Sequence, residues 1–367
     1  MRSQCWAQAV LLSLVAARAA AGEGAAATPG ESSSIYRNST VFQFNEGGYS
    51  CFRGPAILQL KSGDLLAFAS AGSASDCDYG DIKTVTRKSS DGGQTWGAIL
   101  VAIHIPGSYV GNTAPIIDSD GIVHVVFARN NTDAFYVRST DEGVTWSSPL
   151  NVTLSVEPHK PPAGVWFAPG PSGGVQTASG ALVANARGAF GPNGEEFLAS
   201  LRSTDGGTSW LLGKQLPIQG QEPSVTSTGG ATLATISRAG GGVFGFATSS
   251  DSGETWMAGP SINLTAQGFH PPDCQGSLLS DGGRLLLGAP TATDTKGRSG
   301  FRVFASHDVG LTWVLHKTLT SDDWSVGYSS MTSLGLRGNG SVGILYESRS
   351  CQSPLSCPMG ISFAVFL

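Results

Sequence analysis

The stretch SSDGGQTW, residues 89–96, is the first of five copies of one motif in this chain. The shared pattern Ser-x-Asp-x-Gly-x-x-Trp recurs at residues 139–146, 203–210, 249–256 and 306–313, and Thr precedes the Trp in all copies but the third. Successive copies begin 50, 64, 46 and 57 residues apart. Repetition at such a period indicates one supersecondary unit that is used again and again.

The motif, which we call the Asp box, has the composition of a tight turn between two strands. Its Asp can accept hydrogen bonds from backbone N–H groups, and its Gly tolerates positive φ. Its Trp can cover the turn and pack between neighbouring units. Apolar, β-rich runs precede four copies, at residues 84–86, 134–137, 244–247 and 301–304, as expected for hairpins. We therefore assign these Asp residues to turn structure and none of them to catalysis.

The composition fits many short strands joined by tight turns. The chain has 367 residues, of which 50 are Gly, and only 13% are charged. Few segments show helical periodicity, and the β architectures with a repeat of this length are propellers with about four strands per blade. We predict an all-β fold, a six-bladed β-propeller with Asp-box turns, in which one blade lacks a box.

The N-terminal segment has the features of a secreted precursor. Residues 1–21 combine a basic start, a short apolar run and small residues, which predicts a cleaved signal peptide. Residues 22–34 are rich in Ala, Gly and Ser and are predicted to be disordered, so the propeller domain should span residues 35–367. No later segment is long enough for a transmembrane anchor. The net charge of −5, without a Lys/Arg cluster, argues against nucleic acid or an anionic membrane as the main partner.

Glycosylation sequons and cysteines agree with the secretory route. Asn-x-Ser/Thr occurs at Asn38, Asn130, Asn151, Asn263 and Asn339. Removal of Cys5 with the signal peptide leaves an odd number of cysteines, so at least one thiol is free. Pairing of Cys51 with Cys77, and of Cys351 with Cys357, stays open. No Cys/His spacing is typical of a zinc site, and we predict no cofactor, although a structural calcium ion stays open.

Three arginines stand at or just beyond strand ends in different repeats. Arg53 opens an apolar strand, Arg238 ends one, and Arg298 follows a third apolar run and a short polar loop. In a propeller the ends of the inner strands meet around the central axis, where three guanidinium forks would form a receptor for a carboxylate. The alternative is that the three arginines are unrelated surface residues. Their spacing in the sequence, taken alone, favours this alternative.

These arginines lie in motifs that resemble those of the sialidase (neuraminidase) superfamily, whose marks are the Asp boxes and an Arg-x-Pro segment. The chain is most similar to the lysosomal, vertebrate-type exo-alpha-sialidases. The matching segments are residues 53–55 (RGP), 65–69 (LLAFA), 167–171 (FAPGP), 327–330 (GYSS) and 345–347 (LYE). The resemblance runs from about Phe44 to Glu347 and implies hydrolysis of terminal sialic acids from glycoproteins, glycolipids or oligosaccharides.

The resemblance also implies how a sialic acid would be held. Arg53, Arg238 and Arg298 would grip its carboxylate, and Glu347 would keep the fork of Arg53 in place. The partners would be sialylated glycoconjugates in the lysosome or outside the cell. A protein partner is implied only by analogy with the lysosomal group.

The same resemblance implies three residues for bond breaking. Tyr328 would be the nucleophile, Glu222 would take its proton, and Asp78 would be the general acid and base. Asp76 is the alternative acid, whereas Asp81 is better suited to cap a strand. A neutral phenol avoids the repulsion that a carboxylate nucleophile would meet from the substrate carboxylate, and the expected outcome is net retention.

Two departures from the family pattern keep other functions open. Gly54 stands where the family usually has Ile, and Gly72 stands where an arginine usually contacts the substrate beside the acid. The second change favours a secreted, lectin-like propeller with weak or no hydrolysis. A trans-sialidase would need aromatic side chains for an acceptor sugar, with Trp166 and Trp324 as candidates. A receptor propeller would leave the three arginines unexplained.

Overall fold

The computed structural model describes most of the chain after the N-terminal segment. The described residues are 37–73, 77–156, 167–190, 195–293, 297–335, 340–349 and 360–367, and they belong to one unit, Ser33–Leu367. The predicted signal peptide and the segment 22–34 lie outside the described residues. So do Asp76, Trp166 and Asn339, and the proposed Cys351–Cys357 pair.

The first strand, β1 (Arg37–Phe42), belongs to the last of six antiparallel sheets, which we number as blades 1–6 along the chain. Blade 1 consists of β2 (Cys51–Gln59), β3 (Leu65–Gly72), β4 (Lys83–Ser89) and β5 (Leu100–Ile103). Blade 2 consists of β6 (Val110–Ile117), β7 (Val123–Arg129), β8 (Asp133–Ser139) and β9 (Leu150–Asn151). Blade 3 consists of β10 (Phe167–Pro169), β11 (Val175–Gln176), β12 (Leu182–Phe190), β13 (Glu195–Ser203) and β14 (Leu211–Gln215).

The second half of the chain repeats this order. Blade 4 consists of β15 (Gln221–Gly229), β16 (Thr232–Gly240), β17 (Val243–Ser249), β18 (Met257–Ala258) and β19 (Ile262–Asn263). Blade 5 consists of β20 (Ser277–Asp281), β21 (Arg284–Pro290), β22 (Phe301–Ser306) and β23 (Val314–Thr318). Blade 6 consists of β24 (Ser325–Ser333), β25 (Val342–Arg349), β26 (Gly360–Phe366) and β1. Helical structure in the described residues is limited to α1 (Thr153–Val156) and two 3₁₀ turns, Glu46–Gly48 and Thr265–Gln267.

The ring is closed by a strand from the other end of the chain. β1 pairs antiparallel with β26 and forms the outer edge of blade 6, with Ser39 opposite Phe363. The fold is therefore the predicted six-bladed β-propeller, and the five Asp boxes belong to blades 1–5. Blade 6 is the blade without a box, as expected.

Each Asp box forms the turn after the third strand of its blade, and its Ser is the last residue of that strand. In all five boxes the Ser hydroxyl donates to the Asp carboxylate, the Gly N–H donates to the Ser hydroxyl, and the N–H before the Trp donates to the Asp, all at 2.7–3.0 Å. The hydrogen bonds from Thr145 and Thr312 lower the pKa of Asp141 and Asp308 to about 2. The assignment of these carboxylates to turns is confirmed.

The boxes also join neighbouring blades. A Cβ added at Gly143 would lie 2.7 Å from Cδ2 of Leu66 in the preceding blade, so only Gly fits this contact. Trp146 packs edge-on against Phe68 of that blade, with ring centroids 6.0 Å apart. The equivalent pairs are Trp96–Phe363, Trp210–Tyr136 and Trp313–Phe246. The hydrophobic core accordingly lies between blades, in clusters that each draw on two neighbours.

The structure also describes cysteines, glycosylation sequons and helix lengths. Cys51 and Cys77 form a disulfide, and Cys274 is a free, buried thiol. The four described sequon asparagines are exposed. Among the described residues, no helix combines the length and apolar character that a membrane crossing needs.

Candidate active site

The predicted site residues come from four blades and meet at one end of the ring. Arg53, Glu222 and Tyr328 lie at the beginnings of the inner strands β2, β15 and β24. Arg238 and Glu347 lie near the ends of the neighbouring strands β16 and β25, which run in the opposite direction. Arg298 and Asp78 lie on loops that precede the third strands of blades 5 and 1. The structure therefore brings all seven residues together.

Bulges in the pairing of two inner strands lie beside the central cavity. The register of β2 with β3 shifts between Arg53 and Ala56, and that of β15 with β16 shifts between Gln221 and Ser224. Gly54 has φ 60° and Glu222 has φ 49° within these bulges. Bulges re-aim side chains and are common next to active sites. The bulge also explains why a Gly at position 54 is tolerated, since Gly adopts positive φ without strain.

Tyr328 lies between the arginines at the floor of the cavity. The guanidinium carbons of Arg53 and Arg298 lie 5.4 and 5.7 Å from its ring centroid. Nη1 of Arg238 donates to its hydroxyl oxygen at 3.4 Å. The three arginines therefore surround one phenol, and the alternative of unrelated surface arginines is wrong.

The hydroxyl of Tyr328 donates a hydrogen bond to Oε1 of Glu222. The other oxygen of Glu222 accepts from Nη1 of Arg238 at 2.7 Å. Burial, followed by the charge of Glu222, raises the pKa of Tyr328 well above its ordinary value. The phenol is therefore neutral in the resting site, with an acceptor for its proton already in contact.

Glu347 is a buried carboxylate with polar partners on several sides. It is 0% exposed, and it accepts from the backbone N–H groups of Gly54 at 2.9 Å and Tyr328 at 3.1 Å. It also accepts from Nε of Arg53 at 3.4 Å. Its charge is the main cause of the raised pKa of Arg53. A Cβ at Gly327 would lie 2.2 Å from Oε2 of Glu347. The absence of a side chain at Gly327, just before Tyr328, therefore leaves the space that this carboxylate occupies.

Asp78 lies beside the arginines on the loop between β3 and β4. Its Oδ2 is 2.5 Å from Nη1 of Arg53, and its side chain is 49% exposed. Asp81 accepts from His104 at 2.9 Å and from the backbone N–H of Gly107 at 3.0 Å, which lowers its pKa. Asp81 thus attaches the loop to the chain entering blade 2, instead of capping a strand as expected.

The cavity above Tyr328 has a volume of about 340 Å³ and a polar wall. Several of its lining residues carry no recognisable motif in the sequence; these are Tyr79, Tyr109, Asn112, Asn131, Arg187 and Gln221. Asn112 has φ 49° and donates to Asn131 at 2.7 Å. The only signal in the sequence is position, because Asn112 and Gln221 stand near the beginnings of inner strands, as Arg53 does.

Asp273 was also missed, although it contacts two of the arginines. Its carboxylate pairs with Nε and Nη2 of Arg238 at 2.5 and 3.0 Å. Its backbone carbonyl accepts from Nε and Nη2 of Arg298 at 3.2 and 2.9 Å. The hydrogen bond from Arg238 lowers the pKa of Asp273. No motif marks this residue in the sequence.

Gly72 and Trp324 are the two described positions that the sequence analysis connects with a lectin-like propeller and with a trans-sialidase. A Cβ added at Gly72 would lie 2.3 Å from Cδ1 of Ile82, so this position has no room for a side chain in the present packing. Trp324 is 41% exposed and is not among the described residues that line the central cavity. It lines a separate cavity with Phe44 and Ser348.

Comparison with known proteins identifies the class. The model of the BNR repeat-like domain matches residues 63–344, which is most of the chain. The chain therefore belongs to the BNR repeat-like domain family.

Named relatives within this class are sialidases. A sialidase of Bacteroides fragilis is 26% identical over 345 residues, which cover 82% of this chain and 60% of that protein. An exo-alpha-sialidase of Arthroderma benhamiae is 25% identical over 303 residues, which cover 71% of this chain and 68% of that one. This chain thus spans less than two thirds of the Bacteroides protein.

The structural comparison supports the fold. A Hadza microbial sialidase superposes with a TM-score of 0.73 at 24% identity, over 89% of this chain and 68% of that one. The bacterial and fungal relatives support the sialidase superfamily, and the finer resemblance to the lysosomal, vertebrate-type group stays a prediction.

Proposed function

We propose that this chain is an exo-alpha-sialidase, a retaining glycoside hydrolase that removes terminal sialic acids from glycoconjugates. The observation that carries the proposal is the hydrogen bond from the Tyr328 hydroxyl to Glu222 among three arginines. A cationic cavity with a buried phenol fits a sugar that bears a carboxylate on its anomeric carbon. The sialidase relatives support the same reaction.

The three arginines bind and orient the substrate in this proposal. Arg stays charged at any physiological pH and offers paired N–H donors to a carboxylate. Arg53 is held by Glu347, and Arg238 and Arg298 are held by Asp273. Fixing the carboxylate in this way would place the adjacent anomeric carbon over the oxygen of Tyr328, which converts attack into an intramolecular step.

The first half-reaction breaks the glycosidic bond. The Tyr328 oxygen attacks the anomeric carbon while its proton passes to Glu222, and Asp78 gives a proton to the departing glycosidic oxygen. A neutral phenol is used because a carboxylate nucleophile would be repelled by the substrate carboxylate, and Tyr is the known sialidase exception to the two-carboxylate rule. The transition state resembles an oxocarbenium ion.

The second half-reaction releases sialic acid. Asp78, now ionised, accepts a proton from a water molecule that attacks the anomeric carbon, and the phenol recovers its proton from Glu222. Two inversions give net retention. In the resting site Asp78 contacts Arg53, so a bound substrate carboxylate would compete with Asp78 for this guanidinium and leave the acid beside the leaving oxygen.

The proposal is tested with the secreted protein and a fluorogenic sialoside at acidic and neutral pH. We expect turnover in the wild type and a loss of roughly 10³-fold or more in Tyr328→Phe, which keeps the ring but removes the nucleophile. Asp78→Ala should lose activity toward sialyllactose, whose departing sugar oxygen needs a proton, since general acid catalysis contributes about 10²–10⁴-fold. Equal activity of the wild type and Tyr328→Phe would contradict the proposal.

A lectin-like propeller is the second candidate, and it is favoured because Gly72 replaces the arginine that usually contacts the substrate in the family pattern. Its signature would be binding of sialylated glycans by the wild type without turnover at either pH. A trans-sialidase would instead transfer sialic acid to an added galactoside. Secretion through the predicted signal peptide, a lysosomal address and a protein partner remain proposals from the sequence.

A further inference from the structure

A disulfide fixes the loop that carries Asp78. Cys77 immediately precedes Asp78 and is bonded to Cys51, the first residue of β2. Cys51 lies two positions before Arg53, the arginine that Asp78 contacts at 2.5 Å. The covalent bond therefore ties the Asp78 carboxylate to the strand that supplies one wall of the site.

The disulfide is the centre of a small buried cluster. Cys51 and Cys77 are 6% and 1% exposed, and they pack with Ile82 and Tyr109. The space beside them at Gly72 is filled, because a Cβ there would lie 2.3 Å from Ile82 and 3.6 Å from the sulfur of Cys51. Gly72 contributes no side chain to this cluster, and the sulfur–sulfur bond is its covalent link between the loop and β2.

The far end of the loop is attached by other contacts. Asp81 accepts from His104 and from the backbone of Gly107. The N–H of Ile82 donates to the Ser108 carbonyl at 3.1 Å, and the Ile82 carbonyl accepts from Val110 at 3.0 Å. Loss of the disulfide should therefore remove the covalent restraint on Asp78, which keeps its contact with Arg53, while the loop stays anchored to blade 2.

We propose that the Cys51–Cys77 disulfide is a positioning element for proton donation by Asp78, an inference that rests on the proposed sialidase function. A general acid must lie within hydrogen-bond reach of the atom that it protonates. A misplacement of about 1 Å can lower the rate by about 10²-fold. Arg238 and Arg298 belong to blades 4 and 5, and Arg53 is held by Glu347 of blade 6, so loss of the disulfide should affect protonation and leave carboxylate binding unchanged.

The effect of the disulfide should depend on the leaving group. When a sugar leaves, its oxygen takes the proton of Asp78 as the glycosidic bond breaks, because an alkoxide is a poor leaving group. When a nitrophenol leaves, the phenolate is stable and needs no proton. A displaced Asp78 should therefore slow the first substrate and spare the second, whereas a general loss of structure would slow both.

The test compares kcat/KM for sialyllactose and for a nitrophenyl sialoside in the full chain. In Cys51→Ser/Cys77→Ser we expect a loss of about 10- to 100-fold with sialyllactose and a change of less than about threefold with the nitrophenyl sialoside. Asp78→Asn marks complete loss of the acid and should show the same selectivity more strongly. The affinity for an unsaturated sialic acid analogue should not change in the Cys pair.

Ile82→Val is the matched control, since it removes one methyl group from the same cluster and keeps the disulfide. The ratio of its kcat/KM for sialyllactose to its kcat/KM for the nitrophenyl sialoside should equal that of the wild type. If the serine pair does not fold, Cys51→Ala/Cys77→Ala keeps the cluster apolar, and the same ratio is measured on the wild type before and after reduction by a dithiol. Equal losses with both substrates, or no loss with either, would overturn the inference. A wild type inactive on both substrates would refute the proposed function and the inference together.

Discussion

Arg238 uses every nitrogen of its guanidinium on a protein partner. Nη1 contacts Glu222 and the Tyr328 hydroxyl, while Nε and Nη2 contact Asp273. Burial alone would lower the pKa of Arg238, but the hydrogen bond with Asp273 and the charge of Glu222 outweigh it and raise the pKa. The guanidinium is thus held in one orientation, which is what a carboxylate receptor requires.

Asp273→Ala should weaken binding of a sialic acid analogue, because Arg238 loses the carboxylate that orients it, whereas the backbone carbonyl that Arg298 contacts remains. The Asp273 side chain is 65% exposed, so solvent screens the contact. We expect a loss of about 1 kcal/mol, roughly fivefold in Kd by calorimetry. Glu254→Gln is the control, since Glu254 pairs with Arg202 and neither residue lines the described cavity. Unchanged or tighter binding in Asp273→Ala would remove this role from Asp273.

At the scale of the element, the Asp box is a turn whose carboxylate is bound by donors in the folded state. The pKa of Asp141 is about 2, below its ordinary value, because of hydrogen bonds from Thr145 and Ser139. A carboxyl group with a lowered folded-state pKa stabilises the fold above its unfolded pKa, and this contribution is lost as pH falls through the folded value. The boxes should therefore contribute least in acid.

Asp141→Asn should lower the melting temperature at neutral pH by about 1–3 °C, since the site is exposed and only part of the interaction is lost. Between pH 4 and about pH 2 the wild type should lose its advantage, so the two melting curves should converge. Differential scanning fluorimetry across this range checks the result. Asp323→Asn, at an exposed position outside the boxes, is the control. A difference that persists at pH 2 would contradict the linkage.

At the scale of the whole molecule, the ring depends on one joint between blades 6 and 1. β1 completes blade 6, and its Phe42 is fully buried and stacks on Phe52 of blade 1 with ring centroids 5.2 Å apart. Glu347 of blade 6 and Arg53 of blade 1 form an ion pair across the same joint. Closure of the ring and assembly of the site should therefore be lost together.

Phe42→Ala should destabilise the protein by about 3–5 kcal/mol, because it leaves a cavity at this joint. Urea unfolding followed by circular dichroism measures the loss, and turnover measured in parallel should disappear at the same urea concentration. Thr40→Ala, at an exposed position of the same strand, should change little. If turnover and circular dichroism lost their signals at clearly different urea concentrations, the joint would not couple the site to the ring.

The fold and most of the site could be predicted because their signals are local or lie in recognisable motifs. The Ser, Asp, Gly and Trp of each box interact within eight residues or with the adjacent blade, so their repetition was enough to indicate a propeller, and the chain length indicated six blades. The arginines and Tyr328 stood at strand ends within motifs of a known family. Asp273 had no such signal and Asn112 had only its position near the beginning of an inner strand, since their partners, Arg238, Arg298 and Asn131, lie in other segments.

The sequence alone thus determined the turn chemistry of the Asp boxes, the period of the repeats and the residue types suited to an anionic sugar, because these depend on neighbours along the chain. Only the folded ring brought Glu222 against Tyr328 and Asp78 against Arg53. The bulges that give Gly54 and Glu222 positive φ likewise form only in the folded sheets. The physical reason is that these contacts join residues up to several blades apart. Their distances depend on how the blades pack, which no local pattern specifies.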